Sequence, residues 1–272
     1  MPELPEVQTT ADAIEKYSKG KKISYCNVRE NKLRWELQTD LSQRLKNKKI
    51  KSVSRRGKYI IIELDSLYLV IHLGMSGYIR ISNSLTNILK HDHIEIVLES
   101  NTVLRFNDTR KFGMVFYSED DPTQSHPLLK KIGVEPLTRN FNKKYLYEKT
   151  RNRSVTIKNF LMNGYIIAGI GNIYASEALF EAKIKPDKLS KNLTRKNCEE
   201  LSSSIKKVLK LSLKKGGSSI SDYVNVDGNK GYFQNNFKVY GRAGKPCYTC
   251  NYIISKITLG QRSSFFCKKC QK

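Results

Sequence analysis

The chain has 272 residues, enough for more than one domain with a buried core, so a fold can stand without disulfides. Lysine and arginine number 49 against 25 aspartates and glutamates, and the net charge of +24, spread along the whole sequence, points to a polyanionic partner, with a merely solvated basic surface as the plainer alternative. No apolar run approaches the length needed to cross a bilayer, no signal-peptide pattern opens the chain and no single helix gathers the charge as a membrane-surface helix would, so the expectation is a soluble, intracellular protein.

In chain order, Met1-Pro-Glu-Leu-Pro-Glu-Val leads into a helix, because Val7, Ala11, Ile14 and Tyr17 fall at helical spacing between Pro5, suited to a first turn, and Gly20, suited to a stop. From about Lys22 to Tyr117 the pattern becomes β-rich. Lys58-Tyr-Ile-Ile-Ile-Glu-Leu, Tyr68-Leu-Val-Ile-His-Leu, His93-Ile-Glu-Ile-Val-Leu and Met114-Val-Phe-Tyr are separated by turn residues, which predicts a β-sandwich or flattened barrel. The polar stretch from Glu119 to Pro127 reads as a crossing between domains. Helices are expected over Ile157–Met162, Ile173–Phe180 and Thr194–Lys215, the last stopping at Gly216-Gly217. Ser218 to Gly231 is too long and polar for a simple turn and reads as a functional or mobile loop.

Four of the six cysteines, Cys247, Cys250, Cys267 and Cys270, form two Cys-x-x-Cys pairs at zinc-ligand spacing; paired disulfides would need a secretory context that the N-terminus does not suggest. Cys26 and Cys198 read as ordinary thiols. If Met1 is removed, Pro2 presents a secondary α-amine that titrates far below a lysine side chain, a nucleophile able to form an iminium at a sugar C1′, with Glu3 and Glu6 within a turn to handle protons. The alternative is a helix start stiffened by prolines, its glutamates favoured by the macrodipole. Gly169-Ile-Gly-Asn172 precedes a helix and fits either an anion site or a tight turn.

Taken together and in order, Pro2-Glu-Leu-Pro-Glu-Val, Arg56-Gly-Lys-Tyr, His72-Leu-Gly-Met-Ser-Gly, Lys90-His-Asp-His, Asp108-Thr-Arg-Lys-Phe-Gly, Ala168-Gly-Ile-Gly-Asn-Ile-Tyr, Val239-Tyr-Gly-Arg and the zinc cysteines resemble bacterial formamidopyrimidine-DNA glycosylase over the full chain. The resemblance implies an α+β multidomain fold: an N-terminal β-sandwich with a flanking helix (1–118), an inter-domain region (119–150), a helix-two-turn-helix domain with a lesion-capping loop (151–236) and a zinc finger hairpin (237–272). It implies a glycosylase and AP lyase that excises oxidised purines such as 8-oxoguanine and then cleaves the strand by β,δ-elimination, in the cytoplasm and on the nucleoid through DNA. In that reading Pro2 is the Schiff-base nucleophile, Glu3 the acid that opens the deoxyribose, Glu6 a support and Lys58 the proton donor for β-elimination; Lys58 read alone could be a solvated strand end.

A flipped nucleotide leaves a hole in the stack that something must fill. The resemblance assigns that to Met75, Arg110 and Phe112, of which Met75 and Phe112 alone would read as core. It further places DNA contacts at His72, His91, Arg153, Lys158 and Asn172, and gives Arg262 of Gly260-Gln-Arg a role in δ-elimination, with one structural zinc closed by four thiolates holding the hairpin. Expected partners are duplex DNA carrying oxidised bases, with no membrane and no obligate protein partner. Thr109 stands where the family carries proline, and the 218–231 loop varies among relatives, so lesion range is less fixed than reaction type. The nearest rival, the endonuclease VIII type acting on oxidised pyrimidines, is disfavoured by Leu4 and by Phe112; a non-catalytic DNA-binding zinc protein has no use for a free amine beside two carboxylates.

Overall fold

A computed structural model describes residues 1–217 and 236–272, so the Ser218–Gly231 loop named above lies outside the described residues. The chain divides into two compact units, one running from Met1 to Lys131 and re-entering at Lys215, the other running from Ile132 to Lys214 and taking in the described residues from Asn236 onward.

The first unit opens with α1 (Leu4–Ser18). Its start is set by its own residues: Pro5 occupies the first turn, the Glu3 carboxylate accepts the backbone N–H of Glu6, and Glu6 Oε2 accepts the backbone N–H of Glu3 at 3.0 Å. Val7, Ala11 and Ile14 turn one face inward, as their spacing predicts. Then come β1 (Ile23–Val28), α2 (Leu41–Leu45), β2 (Ile50–Arg56), β3 (Tyr59–Leu64), β4 (Tyr68–His72), β5 (Tyr78–Ser82), β6 (Asp92–Leu98), β7 (Val103–Asn107) and β8 (Met114–Ser118). They pair as two four-stranded sheets, β1-β6-β7-β5 and β2-β3-β4-β8, antiparallel throughout. Ile60, Ile62, Leu69 and Ile71 of one sheet and Ile79, Ile94, Ile96, Leu104 and Phe106 of the other share one buried core with the inner face of α1. This is the β-sandwich with a flanking helix that the sequence implies. Each such side chain stabilises the sandwich by about 1.5–3 kcal/mol.

Strand β7 shows why the sequence pattern was only partly readable. Arg105 is fully buried in it, donating from Nε to Glu95 Oε2 of β6 at 2.7 Å and from its other nitrogens to Ser82 Oγ and to the carbonyls of Ser84 and Leu85. A buried charge with its donors used is tolerated, and it breaks the apolar run that would have marked the strand. The polar crossing stretch holds two one-turn helices, α3 (Pro122–Ser125) and α4 (Pro127–Lys130).

The second unit contains α5 (Lys143–Thr150), α6 (Ile157–Leu161), α7 (Asn172–Glu181), α8 (Arg195–Lys214) and a hairpin of β9 (Ile254–Leu259) with β10 (Arg262–Cys267). Thr194 and Asn197 cap α8 reciprocally, each side chain accepting the other's backbone N–H, and the helix ends before Gly216 and Gly217, both at positive φ. Helix α7 packs against both α8 and β10. Its buried Glu177 accepts the backbone N–H groups of Lys238, Val239 and Tyr240 at 2.8, 3.0 and 2.8 Å, which ties the segment leading to the cysteines onto that helix. Among the described residues no helix is long and apolar enough to cross a membrane.

Candidate active site and zinc centre

The chain tip is built, not frayed. Pro2, Glu3 and Glu6 are buried while Met1 is 45% exposed, which leaves Met1 accessible for removal. The capping pair puts both carboxylates at the positive end of α1, an arrangement that holds the backbone immediately after Pro2 in one conformation. Lys58 occupies the second position of a two-residue turn between β2 and β3, where Arg56 pairs with Tyr59 and Gly57 supplies the positive φ. Arg55 links that turn to the helix, donating from Nη1 to the Gly57 carbonyl at 2.8 Å and from Nε to Gln8 Oε1 at 2.9 Å. Gly217 also belongs to this unit and lies against Glu6: a Cβ there would meet Glu6 Oε1 at 3.2 Å, on a backbone at φ +81°. We expect Gly217→Ala to cost about 1 kcal/mol or more and to lower turnover by displacing Glu6. Thermal unfolding and turnover measured on one preparation check this, and a variant as stable and active as the parent contradicts it.

Met75, Arg110 and Phe112 sit on two loops that one buried carboxylate joins. Asp108 accepts Ser76 Oγ at 2.6 Å and the backbone N–H groups of Gly113 at 2.7 Å and Arg110 at 3.3 Å. Gly74 closes the joint, since a Cβ on it would lie 2.5 Å from backbone atoms of Phe112 and Gly113. Phe112 is 42% exposed with the Arg110 guanidinium 5.0 Å over its ring, so it is no core residue; Met75 is half-buried. Thr109 therefore stands in a loop pinned on both sides by Asp108 contacts.

His72 ends β4 and its Nδ1 accepts the backbone N–H of Gly74 at 3.0 Å, which puts the proton of the neutral ring on Nε2. Burial, then the charges of Lys58 and Arg34, pull its pKa down to about 4. It is therefore neutral near pH 7, with Nε2 left as an N–H donor. Its ring resonances should titrate with a midpoint near 4, and a midpoint at the ordinary 6.5 contradicts this placement. Because the folded pKa lies below the unfolded one, the stability contributed by the neutral ring is complete above pH 6.5 and is lost as pH falls toward 4. His91, half-buried, accepts the backbone N–H of Asp108 at 3.1 Å through its carbonyl, so it borders the same joint.

In the second unit Asn172 opens α7, after Gly171, and its Nδ2 donates to the Ser263 carbonyl at 3.1 Å. Arg153 is exposed on the loop before α6. Lys158, which the resemblance gives as a DNA contact, is fully buried, and its Nζ donates to Asn172 Oδ1, Ser176 Oγ and Ser264 Oγ at 2.8, 2.9 and 3.3 Å. Exposed Arg262 is the first residue of β10, after a two-residue turn in which Gly260 and Gln261 both have positive φ.

The four cysteines meet. Their sulfurs lie within 4.8 Å of one another, with Cys247–Cys270 at 3.9 Å and Cys250–Cys267 at 3.5 Å. Those separations exclude disulfides and match the spacing of about 3.8 Å that zinc–sulfur bonds of 2.3 Å give in a tetrahedron. The donor chemistry agrees. Burial raises the Cys247 thiol, but the amides of Thr249 and Cys250 outweigh it and bring the pKa to about 7, whereas burial and the neighbouring sulfurs push Cys270 up. A dication on the four sulfurs is what lets all of them ionise together.

The groupings missed by sequence reasoning depend on long-range contacts. Asp108 sat inside a quoted motif without a role, and its partner Ser76 lies 32 residues earlier. Ser264 and Glu177 gave no signal beyond their neighbours, and Gly217 read only as a helix stop, not as a neighbour of Glu6.

The comparisons with known proteins cover the whole chain. Residues 1–115 match the formamidopyrimidine-DNA glycosylase N-terminal domain, residues 132–224 the formamidopyrimidine-DNA glycosylase H2TH domain, and residues 244–272 the zinc finger found in FPG and IleRS. Formamidopyrimidine-DNA glycosylase of Thioalkalivibrio sulfidiphilus is 44% identical over 272 residues, covering 100% of both chains. A variant of Lactococcus lactis FPG, solved in complex with a Fapy-dG containing DNA, superposes with a TM-score of 0.93 at 36% identity, covering 100% of both chains. The Lactococcus lactis Fpg complex with an abasic site containing DNA gives 0.90 at 36% identity, covering 99% of both chains.

Proposed function

Because the chain belongs to the formamidopyrimidine-DNA glycosylase family, we propose that this DNA glycosylase and AP lyase of base excision repair takes oxidised purines from duplex DNA through a Schiff base on Pro2. The observation that carries the reading is the tip itself: Pro2 buried at a helix start with two carboxylates, Glu3 and Glu6, each only 2% exposed. Once Met1 is gone, the Pro2 nitrogen attacks C1′ as the base leaves, and Glu3 protonates the ring oxygen so that the sugar opens to an iminium; this acidifies C2′–H, and loss of that proton to a base forms the C2′–C3′ double bond as the C3′–O bond to the 3′ phosphate breaks. Glu6 holds Glu3's backbone in place. Lys58, fixed by its turn, serves as proton donor for β-elimination, and Arg262, set by the zinc hairpin, assists δ-elimination at the lesion phosphate.

The bent, flipped duplex is held by the joint of Met75, Arg110 and Phe112, with Arg110 facing the orphaned base and Phe112 as wedge; unstacking costs a few kcal/mol per step, which the inserted groups offset. His72, His91, Asn172 and Arg153 supply donors to phosphates. The Fapy-dG and abasic-site DNAs held by the Lactococcus lactis proteins support a purine lesion and a lyase step. Zinc is one structural ion, closed by four thiolates, and contributes no open coordination site. The functional divisions in this reading are 1–118, an inter-domain region 119–150, 151–236 and 237–272, and the protein works without membrane or obligate protein partner.

The test is a set of otherwise identical duplexes carrying 8-oxoguanine, a formamidopyrimidine or an oxidised pyrimidine. Purine lesions should be excised and the strand cut at least tenfold faster; a pyrimidine preference would move the chain to the endonuclease VIII type of activity, and binding without excision would leave a DNA-binding zinc protein.

A further inference from the structure

We propose that Lys158 is a positioning residue and not a phosphate ligand: its buried ammonium fixes the Asn172 carboxamide and seats the Arg262 hairpin on α6 and α7. This rests on the glycosylase reading above. An ammonium has three protons, and here they meet acceptors on two different elements, Asn172 and Ser176 of α7 and Ser264 of β10. The consequence for Asn172 is directional. With Oδ1 drawn to the ammonium and one Nδ2 proton given to the Ser263 carbonyl, the carboxamide cannot turn over, and its second N–H is the group left to face a phosphate oxygen. A flipped amide would present a carbonyl oxygen to the phosphate and repel it.

The hairpin is seated at further points along the same side. The Ser263 carbonyl meets Asn172, Ser264 Oγ meets Lys158, and at the turn a Cβ on Gly260 would lie 2.7 Å from Asn159 Nδ2. Arg262 stands between the turn and these contacts, so its backbone is bracketed on both sides. Lys158 thus joins a neutral phosphate donor and the arginine of the elimination step through one desolvated charge, which makes an unpaired loss costly.

The experiment measures binding to a duplex holding a tetrahydrofuran abasic analogue across a salt series, and the ratio of δ- to β-elimination products on an 8-oxoguanine duplex, for the parent, Lys158→Met and Ser264→Ala. Lys158→Met should weaken binding about tenfold with no change in the salt slope, because no phosphate-bound cation is removed, and should shift products from δ toward β. A slope smaller by about 0.9 with an unchanged product ratio would make Lys158 a direct phosphate ligand and overturn the proposal. Ser264→Ala keeps the cation and should show a partial product shift with the parent's slope. If Lys158→Met fails to fold or loses its zinc, Ser264→Ala decides alone, and a parental product ratio there overturns the proposal. A parent protein that excises nothing would instead defeat the glycosylase reading, an outcome distinct from either.

Discussion

Replacing Pro2 with glycine, or leaving Met1 in place, should lower single-turnover excision of 8-oxoguanine by roughly three orders of magnitude or more, with the melting temperature little changed. The proline ring makes the difference chemically as well as sterically. A secondary amine yields an iminium that keeps its positive charge, whereas the imine from glycine can lose a proton and with it the pull on the sugar electrons. The ring also locks rotation about the nucleophile's own N–Cα bond, and the Glu3–Glu6 capping pair fixes the residue that follows, so the amine points one way. Stability should hardly respond, because Pro2 precedes the helix and α1 is anchored by Leu4, Val7, Ala11 and Ile14. Excision by Pro2→Gly within tenfold of the parent would remove the amine from the mechanism.

The second large effect is expected from the metal. Cys267→Ser, or chelation of the parent, should abolish zinc binding at one ion per chain, weaken lesion-duplex binding by roughly 100-fold or more and leave the β-sandwich folded. A two-stranded hairpin is marginal by itself, and the apolar support around this one is small, chiefly Phe180, Val239 and Ile254 beside the cysteines. The ion must therefore supply most of what holds β9 and β10 in register, and Arg262 is held only as well as that hairpin. Zinc analysis, far-UV circular dichroism and binding on one sample check the three parts together. A zinc-free protein that cuts lesion DNA at the parent rate would contradict the structural role.

How much of this was legible in the sequence depended on the range of the contacts. Strands β3, β4, β6 and β8 were readable because each is dense in β-branched, leucine or aromatic residues despite Glu63 in β3 and Glu95 in β6, while β2 ends in Arg55-Arg56 and β7 carries Arg105, and the partners of Arg55 and Arg105 lie on other elements. Helix α8 was readable because capping and glycine signals are local. The zinc ligands were readable because knuckle spacing is local too. The joint of Asp108 with Ser76 and Gly113, the contact of Gly217 with Glu6 and the burial of Lys158 were not, since each requires knowing which distant segment arrives beside it. Lys158 is the clearest case. In Thr156-Ile-Lys-Asn-Phe-Leu it occupies the polar position of a short amphipathic helix, where a lysine is ordinarily solvated, and only the arrival of Asn172, Ser176 and Ser264 around it turns that position inward.

The most direct measurement is to reduce the protein with borohydride in the presence of an 8-oxoguanine duplex, digest the trapped complex and locate the adduct by mass spectrometry. The modification should fall on the N-terminal peptide that begins at Pro2, with Met1 absent. An adduct on Lys58 or any other lysine, or the same yield of adduct from Pro2→Gly, would contradict covalent catalysis by the terminal proline.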